Sequence, residues 1–381
     1  MLTADDCRVD ADIRRAETLP AQAFIDPAFL ARELDTVFRA SWQLLPESGS
    51  DDPRPLEEQV GSRGTRVPVS LLGRPLYLQR GWDDDELRLF PNTCTHAWFP
   101  LVLGASRGPT LVCGQHGRKF DCTGRFVSQV GFGKDVPDFP RECDHLAPLG
   151  VKSWRHMLFA NPERDGITRP FEAVFAEVDA SLEHIPTGER GSMEAREIAG
   201  NWKQHAWNFL DRFHIAFVHR PPGGLADAID LGSYQTELYE DSVLQWVYAA
   251  KADDGFDPAW LPERFRDPKG RRVFALWWYV WPNLTLNFYP WGLSVNCYQP
   301  IAGRPDATRF LWYQWAIDRE KHAQRDRRWL SAQVDAEDVD ALAQVSRGLR
   351  SGFAPRGRFA PNDEQGAHWF HRKVARAVFG S

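Results

Sequence analysis

The chain has 381 residues and a formal net charge of −6, so it can bury a large core without disulfide staples. It also lacks the basic excess that binding to nucleic acid or to an anionic membrane surface requires. Residues 1–15 contain no apolar segment of signal-peptide length, and no later stretch reaches the roughly 20 apolar residues of a membrane span. Composition therefore predicts a globular, cytoplasmic protein whose partners are a small molecule or other proteins.

The first predicted element is an amphipathic helix near the N-terminus. Asp26 offers an N-cap acceptor, and Pro27 suits the first helical turn. Apolar side chains then recur at helical spacing, and the pattern ends near Trp42.

The segment 43–161 changes to short β-type runs that are separated by Gly, Pro and Asp. The predicted strands are 67–72, 76–79, 87–90, 111–113, 151–154 and 158–160. This alternation indicates a small all-β module.

The remainder of the chain mixes helices with long aromatic strands. Helices are predicted at 171–184, 202–217, 322–350 and 368–378, and strands at 243–249, 273–281, 284–289, 294–299 and 309–317. Strand runs flanked by helices predict an α+β domain, in which helices pack on one face of an antiparallel sheet.

Two cysteines and two histidines stand in the β-module with the spacing of metal ligands. Cys94 and His96 form one pair, and Cys113 and His116 form the other. Such a set serves either one zinc ion or a Rieske 2Fe-2S cluster, which places two thiolates on one iron and two imidazoles on the other. Because each loop contributes one ligand of each type, the spacing favours the cluster.

The two loops resemble the cluster-binding loops of the Rieske non-haem iron oxygenases. The similar segments are 92–102 (NTCTHAWFPLV) and 113–126 (CGQHGRKFDCTGRF). The first departs from the family at Ala97 and Trp98, where Arg-Gly is usual, while all four ligands are intact. The resemblance covers nearly the whole chain and identifies it with the catalytic α-subunits of the aromatic-ring-hydroxylating and choline-monooxygenase-like branch.

That resemblance implies an α+β protein of three parts. Residues 1–42 would be an N-terminal helical segment that packs on the catalytic domain, and residues 43–162 an all-β Rieske 2Fe-2S domain. Residues 163–381 would be a mononuclear iron domain of the helix-grip type, with a central antiparallel sheet covered by helices.

A second group of candidate ligands lies in the segment 208–219. His214 and His219 are suitable ligands for Fe(II), which in such sites is held by two imidazoles and one carboxylate on one face. On an ideal helix the two histidines are about 140° apart, so we predict that the helix is distorted or ends between them. Asp211 lies about 60° from His214, near enough to accept its other ring N–H. His205, about 180° from His214, is not expected to be a ligand.

The third iron ligand is expected on the helix that follows residue 330. Asp335 and Asp338 project toward the apolar stripe centred on Leu342, about 20° and 40° from it, whereas Glu337 and Asp340 project away. The family resemblance selects Asp338, and Asp335 remains the fallback.

The resemblance also implies how such a chain works. A 2Fe-2S cluster at Cys94, His96, Cys113 and His116 would take electrons from a separate NAD(P)H-dependent reductase, with a ferredoxin in some systems. A mononuclear Fe(II) at His214, His219 and Asp338 would use O2 on a small organic substrate. Asp211 would link His214 to a cluster histidine, by resemblance His116, of a neighbouring copy, and Asn208 is a further catalytic candidate. The family assembles as rings, so a homo-oligomer, commonly a trimer, is expected.

The substrate and the outcome of the reaction stay open at this stage. Aromatic residues crowd the later strands, where they fill a core, stack on an aromatic substrate or cage a quaternary ammonium. Hydroxylation, oxidative demethylation and ring cis-dihydroxylation are all alternatives. A different class, a Rieske electron-transfer or ligand-binding protein without oxygenase activity, is distinguished by the group His214, His219 and Asp338.

Overall fold

The structure is a computed structural model that describes residues 2–46, 54–133, 136–163, 169–219, 225–328 and 331–380. The chain forms two compact units. The first unit combines Met1–Phe38 with Arg169–Ser381, and the second is Arg39–Thr168. The domain boundaries at residues 42 and 162 remain sequence predictions.

Helices are numbered in chain order through both units. They are α1 (Gln22–Ile25), α2 (Pro27–Glu33), α3 (Leu56–Gln59), α4 (Phe171–Ser181), α5 (Trp202–Leu210), α6 (Ile215–Val218), α7 (Arg319–Arg328), α8 (Ser331–Leu349) and α9 (Gln365–Phe379). The expected cap at Asp26 is present, since its side chain accepts a hydrogen bond from the backbone N–H of Ala28. The N-terminal helix is shorter than predicted, because a π-helical turn at Leu34–Phe38 follows α2.

The second unit contains small antiparallel sheets. Its strands are β1 (Gln43–Leu44), β2 (Thr65–Leu71), β3 (Arg74–Arg80), β4 (Leu87–Pro91), β5 (Ser106–Arg107), β6 (Thr110–Val112), β7 (Lys119–Asp121), β8 (Phe126–Ser128), β9 (Gly150–Trp154) and β10 (Met157–Asn161). They pair in the orders β4-β3-β2-β5, β1-β10-β9 and β6-β7-β8. The turn between β6 and β7 carries Cys113 and His116, and the segment after β4 carries Cys94 and His96.

The first unit is built on one antiparallel sheet. Its strands are β11 (Glu189–Ala199), β12 (Gln235–Leu238), β13 (Ser242–Tyr248), β14 (Val273–Val280), β15 (Leu284–Tyr289), β16 (Gly292–Ile301) and β17 (Arg304–Ala316). They pair in the order β11-β17-β16-β15-β14-β13-β12. The predicted α+β class with a central antiparallel sheet is confirmed.

Strand alternation divides the aromatic residues between the two faces of this sheet. Trp277 faces the side covered by α5, where a cavity lies. Its neighbour Trp278 faces the other side and donates a hydrogen bond to Ser181 in α4. Helices therefore cover both faces, whereas the sequence pattern predicted them on one.

The helix α5, which leads into the candidate site, is anchored by a buried ion pair. Nζ of Lys203 lies 2.8 Å from Oε1 of Glu33 in α2, and both side chains are fully buried. Trp202 donates its indole N–H to the same carboxylate. Asn201 and Gln204 form a capping box at the start of α5. These contacts fix the helix before the chain turns toward the metal ligands.

The long strand β11 was not predicted. The sequence pattern indicated only a short strand before residue 202, because β11 is mostly exposed and rich in charged residues. It pairs with β17 throughout, with a bulge between Arg190 and Met193. Helices α7 and α8 account for most of the helix predicted over 322–350.

Across the described parts of the chain, no helix combines the length and the apolar character needed to cross a lipid bilayer.

Candidate functional site

Two tight turns present the four predicted cluster ligands in the second unit. In the first, the backbone N–H of Trp98 donates to the carbonyl of Cys94 over 3.0 Å. In the second, the N–H of Gly117 donates to the carbonyl of Cys113 over 3.0 Å, and Gly117 has a φ of +69°. Glycine adopts this left-handed conformation at little cost, so the second loop can reverse immediately after His116.

The cysteine side chains of these turns are buried, and the histidine side chains are exposed. Cys94 and Cys113 are 1% and 2% exposed and lie against each other. Burial raises the pKa of the Cys94 thiol, and contact with Cys113 adds to this effect. The exposed rings of His96 and His116 pack edge to face, with centroids 4.8 Å apart. A pair of buried thiols beside a pair of surface imidazoles fits the ligand set of a Rieske cluster.

The spacing of these ligands argues against the zinc alternative. A tetrahedral zinc ion holds its four ligand atoms within about 4 Å of one another. Within the ranges that the structure describes, three or more such atoms come within 4.8 Å of one another at His214, His219 and Asp338, and not at the two loops. The wider set fits a centre of two irons better than a single ion.

A buried arginine links the two loops, and sequence reasoning assigned it no role. Arg118 donates to Thr95 over 2.8 Å, to Gln129 over 2.6 Å and to Asp144 over 3.2 Å. Gln129 in turn places its amide nitrogen 3.1 Å from Nδ1 of His96. The guanidinium is also surrounded by aromatic rings at 5.3–5.7 Å, those of Phe126, Phe132 and Phe139. Its place in the quoted loop motif was visible, but these partners are not local in sequence.

In the first unit, the backbone turns sharply between α5 and the two candidate histidines. The helix predicted over 202–217 is wrong in its extent, because α5 ends at Leu210 and Asp211 is extended. His214 precedes the single turn α6, and His219 follows it directly. The predicted helix end between the histidines is therefore found at Val218, with a further break at Asp211.

These turns bring three side chains to one point. Nε2 of His214 lies 3.3 Å from Nε2 of His219, and Oδ1 of Asp338 lies 3.7 Å and 3.2 Å from these nitrogens. A point equidistant from such a triangle lies about 2 Å from each atom, the length of a bond between a divalent metal and an imidazole nitrogen or carboxylate oxygen. Three protein ligands leave other coordination positions of such an ion open.

The polar atoms of this triangle also fit a bound cation. Oδ1 of Asp338 is buried and accepts no well-aligned hydrogen bond. A single N–H between the two facing imidazole nitrogens pairs them with each other and leaves Oδ1 of Asp338 without a donor. Burial alone lowers the pKa of His219, but the nearby carboxylates of Asp338 and Glu337 outweigh it, so the pKa is raised. A divalent ion would satisfy all three atoms at once.

The outer nitrogens of the two histidines face carboxylates. Oδ2 of Asp211 lies 3.7 Å from Nδ1 of His214, which is close to the predicted contact but longer than a hydrogen bond. Oε2 of Glu337 lies 2.8 Å from Nδ1 of His219. The helical-wheel expectation that Glu337 projects away from the site is therefore wrong. The side chain of Asp335, the fallback ligand, lies outside the described residues.

The other candidates in this segment have separate positions. Asn208 and Asp211 line the cavity beside the triangle. His205 stacks on Tyr298 with ring centroids 5.3 Å apart, and its Nε2 lies 3.0 Å from the carbonyl of Ala199. Burial lowers the pKa of His205 to about 4. His368 and His371 tie α9 to the N-terminal segment, through the carbonyl of Asp10 and the N–H of Leu19.

A cavity of about 220 Å³ opens beside the triangle, between the sheet and the helices α5, α6 and α8. Aromatic side chains form much of its wall, among them Tyr234, Phe274, Trp277, Tyr289, Trp291 and Trp312. The stacked rings of Tyr289 and Trp291 lie 4.9 Å apart, and Trp277 donates its indole N–H to the hydroxyl of Tyr289. Of the aromatic residues that crowd these strands, Trp278, Tyr279, Trp281, Tyr313 and Trp315 are buried in the core instead.

Part of the cavity floor is a row of neutral polar side chains. Cross-strand pairing places Gln245, Trp277, Asn287, Ser294 and Gln314 side by side on five strands. Gln245 donates to the carbonyl of Phe209, while its own amide oxygen is buried and accepts no hydrogen bond. The cavity therefore combines aromatic walls with hydrogen-bonding groups on its floor.

Family models match both parts of the chain in which the candidate ligands lie. Residues 185–380 match the family model of the ring hydroxylating alpha subunit (catalytic domain), and residues 55–140 match the Rieske [2Fe-2S] domain. The chain is 27% identical to the chloroplastic choline monooxygenase of Arabidopsis thaliana, over 94% of this chain and 82% of that protein. It is 24% identical to the biphenyl 2,3-dioxygenase subunit alpha of Rhodococcus jostii (strain RHA1), over 91% and 83%.

The fold agrees as well with a solved structure of a quaternary ammonium Rieske monooxygenase, CntA. The TM-score is 0.72 at 19% identity, and the match covers 99% of this chain and 98% of that one.

Proposed function

We propose a function from one premise: the chain belongs to the family of Rieske ring-hydroxylating oxygenase alpha subunits. It is an oxidoreductase that uses O2, and its cofactors are a Rieske 2Fe-2S cluster and a mononuclear iron. Within that family, we propose that it is the oxygenase component of a multicomponent system. A separate NAD(P)H-dependent reductase would supply electrons, and a small organic substrate would be hydroxylated or oxidatively demethylated.

The triangle of His214, His219 and Asp338 at the end of the cavity carries this proposal. These three residues would hold the mononuclear iron, and Cys94, His96, Cys113 and His116 would hold the cluster. When bound, the iron supplies dioxygen activation and the cluster supplies single electrons. The aromatic walls would exclude water and position the substrate next to the open side of the triangle.

Asp211 would act between the two centres. Its carboxylate faces Nδ1 of His214, and it caps the backbone N–H of Phe213 over 2.6 Å. We propose that it accepts a hydrogen bond from His214 and, across an interface, from His116 of a neighbouring copy. Phe213 and Phe217, which are 50% and 57% exposed beside this carboxylate, provide apolar surface for such an interface. A homo-oligomer, commonly a trimer, is the assembly we propose.

The cavity lining supports a substrate with two kinds of surface. Rings such as Trp277 and Tyr289 suit an apolar or quaternary ammonium group, and the amide row suits a hydroxyl, carboxylate or amide. The match to choline monooxygenase over nearly the whole chain favours a small amino alcohol or betaine, with attack on one carbon. Ring cis-dihydroxylation is the second candidate, which the aromatic walls and the match to a biphenyl dioxygenase subunit favour.

Substrate-dependent oxygen uptake tests the proposal and separates its two forms. The iron-loaded protein, with a Rieske reductase and NADH, would be tested with choline, carnitine, glycine betaine, anthranilate and biphenyl under 18O2. We expect uptake that depends on one compound and a product with one labelled oxygen, or a demethylated product. Two labelled oxygens would establish dihydroxylation instead. If His214→Ala, His219→Ala and Asp338→Ala all retained turnover, the electron-transfer alternative would replace the oxygenase.

The proposed location is cytoplasmic. The matched choline monooxygenase is named as a chloroplastic protein, so fractionation of the source cells decides this point.

A further inference from the structure

Glu337 contacts the candidate ligand His219 on the side away from the metal triangle. Its Oε2 lies 2.8 Å from Nδ1 of His219, while Nε2 of the same ring faces Asp338 and His214. The side chain of His219 is only 2% exposed, so bulk water has little access to the contact at Nδ1. Two consecutive residues of α8 therefore contact the two ring nitrogens of His219.

The two carboxylates reach the same ring because their side chains differ in length. Consecutive residues of a helix project about 100° apart, so Glu337 and Asp338 leave α8 in different directions. Asp338 is short and ends at Nε2, whereas the extra methylene of Glu337 allows its carboxylate to reach around the ring to Nδ1. An aspartate at 337 would be too short for this contact.

The chemistry of imidazole gives this contact a consequence for metal binding. A neutral histidine carries its proton on one ring nitrogen and offers a lone pair on the other. A carboxylate that accepts the Nδ1–H fixes the tautomer that leaves Nε2 free, holds the ring plane and makes Nε2 a stronger donor. We propose that Glu337 is a positioning residue that orients and strengthens His219 as an iron ligand. This inference rests on the proposed function, since it assumes a metal at the triangle.

The two histidines are supported unequally. The contact of Asp211 with His214 is 3.7 Å, and both of those side chains are partly exposed. The contact of Glu337 with His219 is nearly 1 Å shorter and lies at the more buried ring. Loss of the Glu337 carboxylate should therefore weaken metal binding, although it removes no ligand.

Cobalt affinity tests this role without any measurement of turnover. The cluster-loaded protein would be dialysed anaerobically against graded Co(II), and bound cobalt would be measured by elemental analysis. We expect Glu337→Gln and Glu337→Ala to raise the dissociation constant about 10–100-fold, the usual cost of removing a carboxylate behind a ligating histidine. Full occupancy should return at higher Co(II), which a collapsed site would not allow.

Matched variants separate this role from a general effect on α8. Asp340→Asn removes an exposed carboxylate from the same helix and should leave the dissociation constant unchanged. Glu337→Asp keeps the charge but shortens the side chain, so it should bind Co(II) more weakly than the wild type. The visible absorption of the cluster should be the same in every variant. Wild-type affinity in both Glu337→Gln and Glu337→Ala would overturn the inference.

The failure of the proposed function has a different signature. In that case the wild type itself would bind no Co(II) at this site, or binding would survive Asp338→Ala. Either result would overturn the metal centre and, with it, the role of Glu337.

Discussion

The two candidate metal centres are assembled in opposite ways. The cluster ligands Cys94, His96, Cys113 and His116 come from two tight turns of neighbouring small sheets. The mononuclear site instead combines a broken helix, α5 to α6, with Asp338 on α8, more than a hundred residues later. The first centre depends on local backbone geometry, while the second depends on how the whole first unit packs.

Replacement of a single ligand should affect one centre and leave the other intact, which is the largest effect we expect. Asp338→Ala or His219→Ala removes one corner of the triangle, so oxygen-dependent turnover should fall to background. The visible absorption of the cluster should persist, because its ligands lie in the other unit. Cys113→Ser should do the reverse, with loss of cluster absorption and unchanged Co(II) binding at the triangle. Loss of both signals from either change would show that the two centres depend on each other.

A change far from any ligand should also affect the first unit strongly. Lys203→Met leaves the fully buried carboxylate of Glu33 without its cation, which should cost about 3–5 kcal/mol of unfolding free energy. The matched double variant Glu33→Leu with Lys203→Met should recover most of that loss, because two apolar side chains can pack where the pair was. Urea denaturation followed by tryptophan fluorescence measures both. An equally unstable double variant would contradict this explanation.

The corresponding change in the second unit is Arg118→Met. It removes the cation that links Thr95 and Gln129 and leaves Asp144 partly buried without its ion pair. We expect a loss of about 3 kcal/mol and faster loss of cluster absorption on heating, with Co(II) affinity at the triangle unchanged. Arg125→Met, which removes an exposed arginine from the same unit, is the control and should behave as the wild type. A weaker Co(II) site in Arg118→Met would argue against independent units.

A smaller, pH-dependent effect is expected from His371, which is fully buried in the first unit. Its Nδ1 accepts a hydrogen bond from the backbone N–H of Leu19, and burial lowers its pKa to about 3. Below its ordinary pKa of about 6.5, the unfolded chain binds a proton that the folded chain does not. The unfolding free energy should therefore fall by about 2 kcal/mol between pH 7.5 and pH 5 on account of this residue. In His371→Gln this part of the pH dependence of the unfolding free energy should disappear. An unchanged pH dependence in the variant would show that other groups cause it.

The contrast between the centres also explains what the sequence could predict. The two Cys/His pairs can be recognised from their sequence spacing alone, because each pair lies within one turn. The α+β class was likewise readable, since long aromatic strands and capped helices have strong local patterns. The helix predicted through His214 failed because Asp211 accepts the backbone N–H of Phe213, a turn-forming contact that helical periodicity does not register.

Glu337 shows the limit of helical-wheel reasoning. The wheel places it about 140° from the apolar stripe, yet its flexible side chain reaches Nδ1 of His219. A wheel describes where the Cβ atom points, and a long polar side chain can depart far from that direction. Arg118 is a similar case, since it stands inside a recognised motif but contacts Asp144 and Gln129 from later segments.

Metal content, measured on three forms of the chain, tests the presence of two separate iron centres most directly. After anaerobic reconstitution, the wild type should hold about three irons, Asp338→Ala about two with an unchanged cluster spectrum, and Cys113→Ser about one. Two irons in the wild type with no loss in Asp338→Ala, or zinc bound at the Cys/His loops, would contradict this account.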